Sequence, residues 1–182
     1  MRRLEGKTVV ILIAEGYYEP EYIYPYYRFL EENAKVITAG PKPGLVHGQG
    51  NNGRDGLLAQ IDIGVESLAD ILPDILFLPG GLWSPNYLRC LPPVQSFIKK
   101  CVSEGTIVCS ICHAPWILVS ADVLRGKRLA CPDDMSPDVI GAGAIYDKKV
   151  KVVRDGNLLS ADGYPRFPEM FRILFDEWFP YK

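Results

Sequence analysis

The sequence predicts an α/β three-layer sandwich built on a mainly parallel sheet. Three observations carry that prediction. Short, continuous apolar and β-branched runs recur along the chain, as in strands buried on both faces. Stretches with helical periodicity alternate with them. The chain has 182 residues, 48% apolar and 23% charged, which suits one ordinary soluble domain and argues against global disorder. Residues 1–182 read as a single domain, because no repeat, low-complexity tract or long linker divides them.

The elements follow in order. Residues 8–14 (TVVILIA) form the first buried strand. Residues 20–33 are helical, with Tyr22, Tyr26, Phe29 and Leu30 on one face, although Pro25 weakens the helix by removing a backbone bond. Residues 35–39 make a second strand. Residues 40–56, rich in Gly, Pro and Asn, read as loop, and 56–63 as an extended piece that could belong to a hairpin. Residues 74–78 (DILFL) are a buried strand stopped by Pro-Gly-Gly. A helix over 93–104 opens on proline and closes at Gly105. Residues 106–111 (TIVCSI) are the next buried strand, followed at once by a helix over 113–124. A short strand at 127–131, a hairpin of 149–154 and 157–160 around Asp155-Gly156, and an amphipathic helix over 168–179 complete the chain.

Composition removes several function classes. The charge sum of 20 Lys+Arg against 22 Asp+Glu is −2, so there is no basic excess to neutralise phosphates and no nucleic-acid partner is expected. The N-terminal apolar run stops at Glu15, too short for a signal peptide. No stretch reaches the ~20 apolar residues of a membrane span. The expectation is a cytoplasmic protein with no membrane partner. Five cysteines cannot all pair, and in a reducing cytosol each is expected to be core filler or chemistry.

In parallel α/β sheets, ligands bind outside the carboxyl ends of strands. That rule selects residues 15–21, 79–81 and 112–113. At Cys112 a buried strand meets a helix with no loop between, the context of a nucleophile elbow. The helix start is expected to lower the thiol pKa. Cys109-Ser-Ile-Cys112-His113 also matches a haem-attachment pattern, but no export signal accompanies it and Cys109 lies inside the strand. No second metal-ligand pair follows, so neither zinc nor any cofactor is expected. Gly80 and Gly81 end the preceding strand. The Gly81 and His113 amides would form an oxyanion hole. Of the acids Glu15, Glu19 and Glu21, one carboxyl beside the thiol could move protons near neutral pH. Tyr17, Tyr18, Trp83 and Tyr87 are candidate rim residues. The two histidines are His47 and His113.

These motifs resemble the ThiJ/PfpI family, which includes intracellular protease I and glyoxalase III and deglycase-type proteins. The carriers are E-x-x-x-P at 21–25, LPGG at 78–81 and SEG-x-x-V-x-SICHAPWIL at 103–118, with ADVLRGKR at 121–128 and V-x-DGN at 153–157 in order. The resemblance spans residues 7 to about 179. It implies a flavodoxin-like fold, homodimers or hexamers of dimers, Cys112 as nucleophile, Glu21 as the acid bonded to it, and Gly81 and His113 as oxyanion donors. It also implies a role for the His113 imidazole. Gly80, Glu19, Trp83 and Asn86 are possible pocket residues. In the protease I branch a neighbouring subunit's acid, just after the PGG turn, orients the histidine. Asn86 stands nearest that place here, and an amide cannot stabilise an imidazolium as a carboxylate would, so the sequence offers His113 no carboxylate at that place. Pro132 falls where a tyrosine is usual. The class I glutamine amidotransferase reading fails because no histidine follows residue 113.

The expected function is a cofactor-independent, cysteine-dependent enzyme acting on small reactive carbonyls. A cysteine peptidase acting on peptides, or a non-catalytic redox sensor or chaperone, stands as the alternative.

Overall fold

The computed structural model describes residues 2–52 and 55–181. β1 (Thr8–Leu12) leads through α1 (Glu19–Glu31) to β2 (Lys35–Gly40). The antiparallel pair β3 (Gly44–His47) and β4 (Leu58–Ile61) follows, then the two-residue β5 (Ile63–Gly64) and a 3-10 turn over Val65–Asp70. β6 (Ile75–Leu78), α2 (Trp83–Leu88) and α3 (Pro92–Ser103) lead to β7 (Ile107–Ile111) and α4 (Pro115–Ser120). β8 (Arg128–Leu129), α5 (Ser136–Gly141) and β9 (Ile145–Tyr146) precede the hairpin of β10 (Val152–Asp155) and β11 (Leu158–Ala161), and α6 (Phe167–Trp178) ends the chain.

Seven strands form the central sheet in the order β10-β11-β7-β6-β1-β2-β5. Every pairing is parallel except β10–β11. That hairpin turns through Gly156 at φ +60, a left-handed conformation that favours glycine. The fold is the flavodoxin-like α/β sandwich expected.

Strand alternation builds two cores, one on each face of the sheet. Val10, Leu12, Leu76, Leu78 and Val108 pack against Leu88, Phe97, Ile98, Ile117 and Leu118 from α2, α3 and α4. Val9, Ile11, Ile75, Phe77 and Cys109 face the other way, onto Tyr22 and Phe29 of α1 and Phe171 and Phe175 of α6. Cys109 is therefore a core side chain. Its burial pushes its thiol pKa far up.

Some expectations change. α1 runs through Pro25, which is buried. The lost backbone bond is tolerated because Tyr22 and Phe29 anchor the helix on either side. The stretch 40–56 is not all loop, since it holds β3. α2 and α5, at six residues each, are too short to show a period and were not foreseen. α4 is also six residues and starts at Pro115, not at 113. It stops before Asp122, whose φ of +51 breaks the helical path. Cys90 is exposed on the surface and is not core filler.

Phe77 is fully buried and meets Phe29, Phe167 and Phe171 at ring-centroid distances of 5.8, 6.4 and 6.2 Å. Phe77→Ala removes the ring that joins these three. The expected loss is about 3–5 kcal/mol of unfolding free energy, read from the urea midpoint at unchanged m-value.

Candidate active site

Three strand ends converge, as the topology rule requires. β1 delivers residues 15–21, β6 delivers Gly80-Gly81, and β7 delivers Cys112. These strands are neighbours in the sheet, so their carboxyl ends meet at one edge.

Cys112 sits at φ +56, a left-handed conformation unusual for a residue with a side chain. This is the elbow. Its backbone N–H donates to Ala161 O at 3.0 Å, and Ala114 N–H donates to Ile111 O at 3.0 Å. The first bond ties the elbow to β11 and the second closes the turn. The backbone amides of Gly81 and His113, the expected oxyanion donors, lie near enough to the sulfur to pull its thiol pKa down.

Glu21 is fully buried. Its Oε2 accepts the Gly80 N–H at 2.8 Å. Its Oε1 makes no hydrogen bond, while the carboxyl as a whole feels the Cys112 thiol and the Tyr164 backbone amide. Gly80 must be glycine for this arrangement. A Cβ there would stand 2.5 Å from Glu21 Oε2 and 2.6 Å from Cys112 Cβ. At Gly81, φ is +89 and a Cβ would meet the Tyr18 amide nitrogen at 3.0 Å.

Burial raises the Glu21 carboxyl to about 7, against the opposing pull of the Gly80 and Tyr164 amides and the thiol. Burial also pushes the Cys112 thiol up to about 12, and the Glu21 charge pushes it the same way, while the Gly81 and His113 amides pull it down. The helix-start expectation of a lowered thiol pKa is therefore corrected. α4 is short and begins three residues after the sulfur with proline, which has no N–H to offer. Desolvation beside a carboxyl outweighs it. Cys112 therefore rests as a thiol at neutral pH.

An imidazole touches it. His113 Nδ1 lies 3.2 Å from Cys112 Sγ. On the far side of the ring, Nε2 lies 3.2 Å from Asp134 Oδ2. The imidazole also packs on the Trp116 ring at 5.0 Å. The expected place offers His113 no carboxylate, and the fold brings one from elsewhere. The partner comes from the same chain and the segment after β8, not from Asn86. Only the adjacent acids in Pro132-Asp133-Asp134 hinted at it, and nothing local to residue 113 did.

The remaining candidates are structural or peripheral. Glu19 Oε1 accepts the Gly50 N–H at 2.9 Å, and Glu15 Oε2 accepts the His47 N–H at 3.0 Å. These two acids hold the loop after β3. Tyr17 is fully buried, and its hydroxyl donates to Leu57 O at 2.6 Å, so it is core and not rim. Tyr18 is half-buried, pairs with the Tyr164 ring at 5.8 Å, and lies near enough to feel the Cys112 charge. Trp83, Asn86 and Tyr87 are exposed on α2. The Asn86 carbonyl accepts the Cys90 thiol at 3.4 Å. An apolar groove of 590 Å³ runs along α1, lined by Pro20, Ile23, Tyr24, Tyr27 and Phe167 among others. It does not include Cys112. Among the described residues, no helix is long and apolar enough to cross a membrane.

The family model described as the DJ-1/PfpI family matches residues 7–177. A deglycase from Pyrococcus abyssi is 38% identical over 170 residues, covering 91% of this chain and 98% of that protein. The protein/nucleic acid deglycase 2 of Escherichia coli is 34% identical over 173 residues, covering 93% and 98%. The crystal structure of Drosophila melanogaster DJ-1beta superposes with a TM-score of 0.84 at 25% identity, covering 96% of this chain and 91% of that one.

Glu21 also sets a pH signature. Its folded pKa of about 7 exceeds the usual 4.5, so the folded state favours the protonated carboxyl. The cost of ionising it is absent below the unfolded pKa and accumulates as pH rises towards 7. Glu21→Gln is expected to stabilise the protein at pH 8 by up to about 3 kcal/mol, at roughly 1.4 kcal/mol per unit. Near pH 4 the gain disappears, as melting curves of both proteins at the two pH values will report.

Proposed function

The chain belongs to the DJ-1/PfpI family, and on that premise we propose that it is a cysteine-dependent, cofactor-independent deglycase acting on small reactive carbonyls and their amine adducts. The deglycase names of relatives 32–38% identical over most of the chain make it an enzyme. The observation that carries the finer reading is the pairing of Cys112 with a fully buried Glu21 whose Oε1 has no hydrogen bond of its own. A carboxyl near 7 can both give and take a proton at neutral pH.

The chemistry follows from those groups. Sulfur adds to the aldehyde carbon of a dicarbonyl such as methylglyoxal. The thiol proton ends on the carbonyl oxygen, giving a hemithioacetal. The Gly81 and His113 amides hold that oxygen while it carries charge. Glu21 then takes the proton from the carbon bonded to sulfur and returns it to the neighbouring carbonyl carbon, while the hydroxyl proton passes from the first oxygen to the second. The product is a lactyl thioester. Water cleaves its C–S bond, restoring the thiol and releasing lactate. For an amine adduct, the C–N bond breaks as the C–S bond forms, and the amine leaves with a proton.

Peptide hydrolysis is the second reading, favoured by the 3.2 Å approach of His113 Nδ1 to the same sulfur. One assay separates the two. Purified protein with methylglyoxal is expected to form lactate. Cys112→Ser is expected to form none, and Glu21→Gln to lose about 10²–10⁴-fold in kcat. Full activity in either variant removes the assignment. Absence of lactate with hydrolysis of a fluorogenic peptide transfers it to the second reading.

A further inference from the structure

Two groups flank the Cys112 sulfur, and the mechanism above uses mainly one of them. The other is His113, held at both ring nitrogens. Nδ1 faces Sγ and Nε2 faces Asp134, each at 3.2 Å. A thiol can donate to Nδ1 only if that nitrogen carries no proton. The neutral ring's proton must then sit on Nε2, where a carboxylate can accept it. Asp134 selects the one tautomer in which His113 can act as a base towards Cys112. We infer that Asp134 is the positioning residue for His113, completing a Cys112–His113–Asp134 relay within a single chain.

The surroundings fit that role. Asp134 sits in a 3-10 turn over Asp133–Met135 whose Met135 is buried. Its neighbour Asp133 accepts the Tyr146 hydroxyl at 2.7 Å and pairs with Lys148 at 2.7 Å. Ser136 Oγ donates to Asp133 O at 2.7 Å. The turn is therefore fastened independently of the histidine. Trp116 holds the ring's face, and its indole N–H donates to Asp138 at 3.2 Å while the Arg89 guanidinium lies 5.8 Å from its ring centre. The Asp134 side chain is 70% exposed and that of His113 13%. A contact to so exposed a carboxylate adds little stability, so its use lies in orientation.

Proton movement then has two directions from one sulfur. On attack, the thiol proton passes to Nδ1, Nε2 keeps its own, and Asp134 remains ionised beside the imidazolium. Glu21 is left free for the carbon-bound proton. The imidazolium supplies the proton that a departing amine requires. This division rests on the proposed role of Cys112 as nucleophile, and it points to amine-borne adducts as the substrates that most need His113.

The test uses the full chain and needs no substrate. Iodoacetamide alkylation of Cys112 at pH 7 is followed by peptide mass, with the exposed Cys90 as internal standard. Asp134→Asn is expected to slow Cys112 about ten-fold, in step with His113→Gln, while Cys90 is unchanged. An asparagine amide can donate to Nε2 and so turn the proton onto Nδ1. Asp134→Glu is expected to recover most of the rate. A melting temperature equal to wild type separates orientation from misfolding. With an amine adduct of methylglyoxal as substrate, Asp134→Asn is expected to lower kcat and leave KM. Equal alkylation rates in wild type and Asp134→Asn overturn the inference, as does a slow Asp134→Asn beside a normal His113→Gln. The expected alkylation pattern without lactate formation sustains the relay and removes the carbonyl reading alone.

Discussion

The arrangement depends on burying one carboxyl against one thiol. Glu21 has no solvent to stabilise its charge, and its one well-formed hydrogen bond comes from the Gly80 amide. That bond fixes where the turn after β6 must pass. The turn can pass there only because residue 80 has no side chain, since a Cβ would overlap both Glu21 and Cys112. The adjacent Gly81 amide pulls the Cys112 thiol pKa down. One buried group thus sets the identity of Gly80 and helps keep the Cys112 thiol protonated. Its cost falls on the ionised form alone, so the site holds its proton until about neutral pH.

The elbow adds a second constraint. A positive φ at a residue with a side chain costs of order 1–3 kcal/mol, and Cys112 bears it at +56. The bond from its N–H to Ala161 O holds the strained residue against β11. β11 is in turn paired in register with β7, Ala161 beside Ile111. The late hairpin, remote in sequence from the thiol, therefore helps keep the sulfur raised at the sheet edge. Tyr164, just beyond β11, turns its backbone amide on Glu21. The C-terminal third of the chain closes the site from the side opposite to β6.

Much of this was legible from residue order. Continuous apolar runs gave the buried strands, because a strand covered on both faces has no polar side to display. The absence of any loop between Ile111 and His113 gave the elbow. The two cores followed from alternation, which placed Cys109 in the packed interior. Other features were illegible for physical reasons. α2 and α5 are shorter than two turns, so no periodicity exists to detect. Tyr17 carries a polar hydroxyl yet is buried, because Leu57 O, forty residues on, accepts from it. The thiol's raised pKa depends on desolvation by residues far apart in sequence, whereas the helix start is local and visible. Locality made the weaker effect the easier one to read.

Asp134 is the sharpest case of that limit. A side chain that orients a catalytic group has no fixed spacing from it, so sequence offers only expected places. The expected place holds Asn86, and a reading confined to it predicts an incomplete site. Folding supplies the carboxylate from a turn after β8, where Asp133 meets Tyr146 and Lys148 and leaves its neighbour free to face the ring. The consequence reaches beyond one hydrogen bond. A histidine oriented by its own chain needs no second subunit to complete its geometry. A single chain then places two groups around the sulfur, a fully buried Glu21 and a largely buried His113 whose far nitrogen faces the exposed Asp134. On the proposed reading, burial suits the first to move a carbon-bound proton, and Asp134 suits the second to take the thiol proton. Two proton transfers at one sulfur can then use separate groups.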